Sequence, residues 1–208
     1  FYSLEDGREE ARHVFLAGND LPKRLKQDHT FTIGELGFGT GLNFLETWRV
    51  WRQIRSPGQT LKFTSFEAYP MSAQDIARAI SRWTDLAELC ADLLIHWEDL
   101  IANAMPVALD HETSLTIVNG DANESVAQWQ DRADAWYLDG FAPSRNPDMW
   151  SEDLMKAVFL RTSAGGTFAT YSAAGWVRRN LHTAGFEVIR APGFGGKRHM
   201  TKGWKSQR

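Results

Sequence analysis

Residues 30–48, TFTIGELGFGTGLNFLETW, limit the possible folds more than any other part of this 208-residue sequence. TFTIGEL reads as a strand. Three glycines follow at alternate positions, Gly37, Gly39 and Gly41. Then LNFLETWRVWRQI places Leu42, Leu45, Trp48 and Trp51 at near-helical spacing, until RSPG breaks the pattern. A strand, a glycine loop and a helix in that order open a parallel α/β sheet whose loop lets backbone approach a ligand. The rest of the chain keeps the alternation. LKFTSFEA is a second strand and MSAQDIARAISRW a helix. DLAELCADLLIHWEDLI reads as one continuous helix, with Leu86, Leu89, Leu93, Trp97, Leu100 and Ile101 on one side. VALDHETSLTIVNGD is a hairpin leading into a third strand, and DAWYLDGF is a fourth. SEDLMKAVFLRT is a helix capped by Ser151, GGTFATYS a fifth strand, and AAGWVRRNLHTAG a helix. FEVIRA is a sixth strand, and KRHMTKGW a seventh that closes hairpin-fashion on it. The expectation is one α/β domain over residues 1–208. It has a mostly parallel seven-stranded sheet covered by helices on both faces, with a helical and hairpin insertion around 71–113. Residues 1–30 form an extension packed on the 31–208 core.

Composition removes several classes. The apolar fraction is 43%, that of a globular domain, and no apolar run approaches the length of a membrane-spanning helix. Nothing at the start reads as a secretory signal. The opening at Phe1, inside ordered-looking sequence, suggests a domain cut from a longer protein. The single cysteine, Cys90, excludes an intrachain disulfide and suits a cytoplasmic setting. It lies in an apolar helical pattern and reads as a packing residue. The six histidines show no metal-ligand spacing, so no metal is expected. Ser144 and Ser172 lack a nucleophile elbow, and no phosphate-binding P-loop is present. The net charge is only −3, but from Gly175 onward Arg178, Arg179, Arg190, Lys197, Arg198, Lys202, Lys205 and Arg208 face a single acid, Glu187. That basic end is either a phosphate-facing patch or a solvated tail.

The glycine spacing narrows the ligand. A dinucleotide fingerprint is G-x-G-x-x-G, with the pyrophosphate on a helix N-terminus. Here the third glycine comes one position early, and Glu35 precedes the loop. A carboxylate there repels a pyrophosphate and suits a ligand with an ammonium group and no phosphate, such as S-adenosylmethionine. Glu67 ends the second strand, where a nucleoside-binding sheet places an acid for the ribose hydroxyls. Asp121 ends the third, positioned to accept a bond from the adenine amino group. Asn43, beginning the helix after the loop, joins Glu35, Gly37, Gly39, Gly41, Glu67, Asp121 and Asp139 as expected cofactor-binding residues. Each acid alone could be a helix cap or a surface charge; together they favour an adenosyl site. Asp139 closes the fourth strand in LDGFAPSRNPDMW, the catalytic position of a methyltransferase sheet. A carboxylate there can accept N–H bonds from an amine and aim its lone pair. Phe141 supplies an aromatic wall, and Trp150 either packs or touches a ligand. The fold class that follows is a Rossmann-like, class I S-adenosylmethionine-dependent methyltransferase.

The segments FYSLEDGREEARHVFLAGNDLP, ELGFGTGLNFLETW, SFEAYPMSAQDI, WYLDGFAPSRNPDMW, GGTFATYSAAGWVRRNLHTAGFEV and GFGGKRHM together resemble the methyltransferase half of the MnmC family. The resemblance runs from near Phe1 to near Lys202, with a variable middle from about Arg82 to Ser114. It implies methyl transfer from S-adenosylmethionine to the primary amine of 5-aminomethyl-2-thiouridine at the tRNA wobble position. It also implies fusion, in many bacteria, to a C-terminal FAD-dependent oxidase half. No second glycine-rich dinucleotide motif occurs here, so either the chain is a stand-alone homologue or the oxidase half was cut away, and FAD would belong only to that half if it exists. By position, Glu35 and the three glycines would form the methionine-end loop, Glu67 would hold the ribose and Asp121 the adenine. Asp139 and Phe141 would face the amine. Arg178, Arg179, Lys197 and Arg198 are the tRNA-contact candidates. The family usually reads GFGRKR where this sequence has GFGGKR, and it carries a further N-terminal segment. A monomer is expected. Two other readings stay open: a methyltransferase for a small-molecule or protein amine, and a non-catalytic RNA-binding module on a degenerate cofactor fold.

Overall fold

A computed structural model describes residues 7–26 and 29–207. Among the described residues eight strands form one sheet: β1 (Thr30–Leu36), β2 (Thr60–Glu67), β3 (Val107–Asp110), β4 (Thr113–Asn119), β5 (Ala133–Leu138), β6 (Thr162–Thr170), β7 (Glu187–Pro192) and β8 (His199–Trp204). Their order is β3-β4-β2-β1-β5-β6-β8-β7. The five central strands are parallel, while β3 lies antiparallel to β4, and β8 runs antiparallel between β6 and β7. The class I methyltransferase fold is thus as expected, with one strand more. The extra strand is the first arm of the expected hairpin. It pairs along the outer edge through a register shift between Ala108 and Asp110.

Helices cover both faces. They are α1 (Gly7–Ala11), which runs on as a π-turn over Arg12–Ala17, α2 (Leu21–Arg24), α3 (Leu42–Ile54), α4 (Ala73–Ile80), α5 (Ala87–Ile95), α6 (Trp97–Asn103), α7 (Ala122–Gln128), α8 (Glu152–Leu160) and α9 (Gly175–Ala184). The single helix expected over DLAELCADLLIHWEDLI is broken at His96, whose φ of −102° and ψ of 4° leave the helical region. The break lets Trp97 bury fully and donate its indole N–H to the Met71 carbonyl at 3.0 Å. A continuous helix would satisfy the apolar periodicity without that bond. Ser151 caps α8, as expected, accepting the Leu154 N–H.

The core splits along the sheet. One layer contains Phe31, Ile33, Phe44, Trp48, Phe63 and Tyr137 beneath α3–α6 and the N-terminal helices. The other contains Leu36, Phe66, Trp136, Trp150, Val158 and Phe168 beneath α7–α9. Successive residues Trp136 and Tyr137 face opposite layers, as strand alternation requires. Residues 1–6 and 27–28 of the expected N-terminal extension lie outside the described residues. Its remainder packs on the first layer, with the Phe15 and Tyr137 rings 5.1 Å apart. Buried charge reinforces that packing. Glu46 of α3 is fully buried and pairs with Arg8 at 2.8 Å, Arg12 at 2.6 Å and Arg49 at 2.6 Å. Arg8 also holds Asp85 through two bonds, at 2.7 and 2.5 Å. Burial pushes the Glu46 carboxyl upward, and the bonds from Arg49, Arg12 and Arg8 outweigh it, so its pKa lies below the ordinary value. Cys90 is buried, and burial pushes its thiol pKa up. Among the described residues no helix is long and apolar enough to cross a membrane.

Candidate active site

The carboxyl ends of β1, β2, β4, β5 and β6 open on one edge of the sheet, where a doubly wound fold places its ligand. The loop after β1 forms the floor. Gly37, Gly39 and Gly41 all have positive φ, at 87°, 54° and 73°. Two of them also sit against neighbours. A Cβ on Gly37 would meet the Asp139 carbonyl at 3.0 Å, and one on Gly41 the Phe38 ring at 2.9 Å. A Cβ on Gly39 would meet no atom within 4 Å, so Gly39 faces the open side of the loop. Among the described residues no side-chain hydrogen bond caps α3 at Gly41, which leaves its first N–H groups without a side-chain acceptor.

Glu67 lies across the loop. Its Oε2 accepts the Gly39 N–H at 3.0 Å and its Oε1 the Tyr69 N–H at 2.8 Å. Glu35 lies deeper and is wholly buried. Burial raises its pKa well above the carboxylate range, against a bond from Asn43, with the charges of Asp139 and Glu67 adding to the rise. Asn43 is the hub of the site. Its one Nδ2 group donates to Glu35 Oε1 at 3.0 Å and to Asp139 Oδ2 at 2.7 Å, spending both hydrogens on carboxyl groups. Asp139, half-buried at the end of β5, is pushed up to about 7, chiefly by burial; Glu10 adds to the rise, while Asn43 and Lys197 oppose it.

The loop after Asp139 is pinned in three places. The Gly140 carbonyl accepts from the Tyr171 hydroxyl at 2.6 Å, the Phe141 carbonyl from Trp150 Nε1 at 2.9 Å, and the Ala142 carbonyl from the Arg145 N–H at 2.7 Å. Trp150 is buried packing, whereas the Phe141 ring is 68% exposed at the rim. Asp121 caps α7: its Oδ1 accepts from the Asn123 N–H at 2.9 Å and from Asn123 Nδ2 at 3.0 Å, which lowers its pKa. The local cap is therefore the role the described contacts give it.

The basic positions divide. Arg178 and Arg179, in the first half of α9, join His182 and Arg190 around a cleft of about 600 Å³ between α9 and β7. Arg198 is exposed in the β7–β8 turn. Lys197, grouped with these by charge, is turned elsewhere: its ammonium pairs with Glu10 and lies over the Tyr171 ring, 4.5 Å from the centroid. Arg208 lies outside the described residues. Sequence reasoning missed Tyr171 and Glu10. Tyr171 could have been found, since it directly follows β6 at its carboxyl end; Glu10 carried no signal. Among the described residues no group of three or more His, Cys, Asp or Glu side chains could hold a metal ion.

The open face at Gly39, the carboxylate of Glu67 beside it and the uncapped start of α3 suit an adenosyl amino acid, with an acid for sugar hydroxyls and N–H groups for a carboxylate. Gly39→Ala is expected to weaken S-adenosylmethionine binding about tenfold, because its Cβ would project into the open side of the loop that the ligand must approach closely. Calorimetric titration checks this, with an unchanged far-ultraviolet spectrum as the control for folding.

Comparison with known proteins agrees with the geometry. Residues 84–206 match the family described as S-adenosyl-L-methionine-dependent methyltransferase. Over 204 residues the chain is 44% identical to the tRNA 5-methylaminomethyl-2-thiouridine biosynthesis bifunctional protein MnmC of Azoarcus sp., covering 98% of this chain and 32% of that protein. Over 206 residues it is 41% identical to the protein of the same name from Caulobacter vibrioides, covering 99% and 35%. The chain thus spans about a third of the length of these curated relatives. Among solved structures, MNMC2 from Aquifex aeolicus superposes with a TM-score of 0.77 at 24% identity, over 96% of this chain and 60% of that one. S-adenosylmethionine-bound CalS10, an amino pentose methyltransferase from Micromonospora echinaspora, superposes with a TM-score of 0.52 at 11% identity, over 99% and 98%. The motif resemblance to the MnmC methyltransferase half is borne out by these relatives, and S-adenosylmethionine is the cofactor. This chain belongs to the S-adenosyl-L-methionine-dependent methyltransferase family.

Proposed function

We propose that this domain methylates the primary amine of 5-aminomethyl-2-thiouridine at the tRNA wobble position, giving 5-methylaminomethyl-2-thiouridine. The observation that carries the reading is the Asp139 carboxyl group, held through one oxygen by Asn43 at the mouth of the glycine loop. The names and identities of the relatives supply the acceptor.

When bound, the cofactor supplies an electrophilic methyl group on a sulfonium. Glu67 and the Gly37–Gly39–Gly41 loop would hold it and Asp121 would accept from the adenine, while Glu35 orders Asn43 by accepting its Nδ2–H. An alkyl amine has a pKa of about 10 and arrives protonated. A carboxylate whose own pKa is near 7 accepts that proton more readily than an ordinary aspartate does, and so frees the nitrogen lone pair. With Oδ2 fixed by Asn43, Oδ1 receives the amine N–H and sets its direction. Phe141 forms the wall beside the acceptor base.

Residues 1–208 act in this reading as one methyltransferase domain, in the cytoplasm and as a monomer. Where the native protein is bifunctional, as its curated relatives are named, an FAD-dependent oxidase half would follow this domain. The cleft at Arg178 and Arg179 carries tRNA phosphates. Arg178→Ala/Arg179→Ala is expected to lower tRNA affinity most at low salt. It should reduce the slope of log affinity against log salt by about 1–2. Filter binding over a salt series checks this; parallel salt curves would make the arginines incidental.

The test of the proposed reaction is mass spectrometry of nucleosides after incubating tRNA bearing the aminomethyl uridine with labelled cofactor. Label in 5-methylaminomethyl-2-thiouridine supports the reading. Label only in added small amines, independent of salt, moves the assignment to a small-molecule methyltransferase.

A further inference from the structure

We infer that Glu10, the Tyr171 ring and Asp139 form an alkylammonium subsite, occupied in this structure by the Lys197 side chain and entered by the acceptor amine when that lysine is displaced. The inference deepens the amine-acceptor reading and rests on it.

Four observations meet at this point. The Lys197 ammonium lies 4.5 Å from the Tyr171 ring centroid, over its face. The same ammonium pairs with Glu10 across 187 positions of sequence. The Glu10 side chain is only 14% exposed against 49% for Lys197, so the carboxylate belongs to the wall and the lysine enters from the solvent side. Finally, the Tyr171 hydroxyl donates to the Gly140 carbonyl at 2.6 Å, which fixes the ring beside the residue after Asp139. Glu10 and Lys197 both act on the charge of Asp139, so all three groups share one neighbourhood.

An aromatic face backed by a carboxylate recognises alkylammonium ions generally, by cation–π attraction and charge pairing. The aminomethyl group of the proposed acceptor is such an ion before it loses its proton. Without an occupant, Glu10 would be a largely buried, unpaired carboxylate, which is costly. Lys197 removes that cost until substrate arrives. Release needs only rotation of the Lys197 side chain, which is half exposed, while the turn backbone stays held by bonds from the Lys197 N–H to the Phe194 carbonyl and from the Gly193 N–H to the Arg198 carbonyl. Glu10 thereby becomes a specificity-determining residue for a charged amine, and Lys197 a competitor for its site.

Three variants test this: Lys197→Met, Glu10→Gln, and the double Lys197→Met/Glu10→Gln. The first readout is binding of ethylammonium ion, followed by NMR of the tyrosine ring signals. It needs no RNA, so it succeeds or fails independently of the acceptor assignment. Lys197→Met is expected to bind ethylammonium at least about tenfold more tightly than the native chain, and the double variant to lose that gain. The second readout is steady-state methylation of aminomethyl-bearing tRNA. Glu10→Gln is expected to raise KM about tenfold while the dissociation constant of S-adenosylmethionine stays unchanged. Equal ethylammonium binding by all four proteins overturns the inference. So does a parallel change in stability and KM in both single variants, because that marks a plain tie between α1 and the β7–β8 turn. Ethylammonium binding as expected, with no methylation of tRNA by the native chain, would keep the subsite and remove the proposed acceptor.

Discussion

Asp139→Asn is expected to lower turnover by about 10²–10⁴-fold, the usual range for loss of a positioned acid–base group, with little change in cofactor affinity. The substitution keeps the bond from Asn43, since an amide oxygen still accepts, but it cannot take a proton from the amine. It also removes a charge that burial disfavours. Asp139 has a folded pKa near 7 against an ordinary value of 3.8, so the unfolded state releases its proton first as pH rises. The native residue therefore costs stability increasingly between about pH 4 and pH 7, and the full cost is present above 7. Asp139→Asn should raise Tm at pH 8 by about 2–4 °C for each kcal/mol of that cost, and leave it nearly unchanged at pH 4. Lost turnover together with gained stability would mark a residue kept for chemistry. Scanning calorimetry at the two pH values checks the second half.

Glu46→Ala should have the largest effect on stability, about 3–5 kcal/mol, because it leaves Arg8, Arg12 and Arg49 clustered around a buried vacancy. In a chain of this size that corresponds to a fall in Tm of about 10 °C. The pH dependence has the opposite sign to that of Asp139. The folded pKa of Glu46 is depressed, so its contribution is complete above the ordinary value of 4.5 and is lost as pH falls through the folded value. The difference between native protein and Glu46→Gln should therefore narrow toward acid pH. A difference constant across pH would mean that packing, not charge, ties the N-terminal helices to α3.

The features legible in the sequence are those whose physical cause is local. Gly37, Gly39 and Gly41 mark their loop because a strand must turn into a helix within five residues, and positive φ at three of them admits little else. Glu67, Asp121 and Asp139 could be placed at strand ends because apolar runs stop there. What each carboxylate does could not be read so easily. Asp121 satisfies a helix cap and Glu35 is buried beneath Asn43, and both depend on how α7 and α3 seat against the sheet. The break at His96 was hidden by unbroken apolar periodicity, and its cause is a bond from Trp97 to Met71, 26 positions away. Glu10 and Lys197 lie near opposite ends of the chain and meet only because β7 and β8 return to the N-terminal helices. Charge counting placed Lys197 with the arginines, and only the fold separates it from them.

In the proposed reaction Asp139, held by Asn43, takes the proton of the acceptor amine. The pH dependence of kcat/KM for methylation of aminomethyl-bearing tRNA tests it most directly. Activity is expected to rise with an apparent pKa near 7, distinct from the limb near 10 that belongs to the amine itself, and the limb near 7 is expected to be absent in Asp139→Asn. A native profile without a limb near 7, or an Asp139→Asn profile that keeps it, would mean that Asp139 does not take that proton.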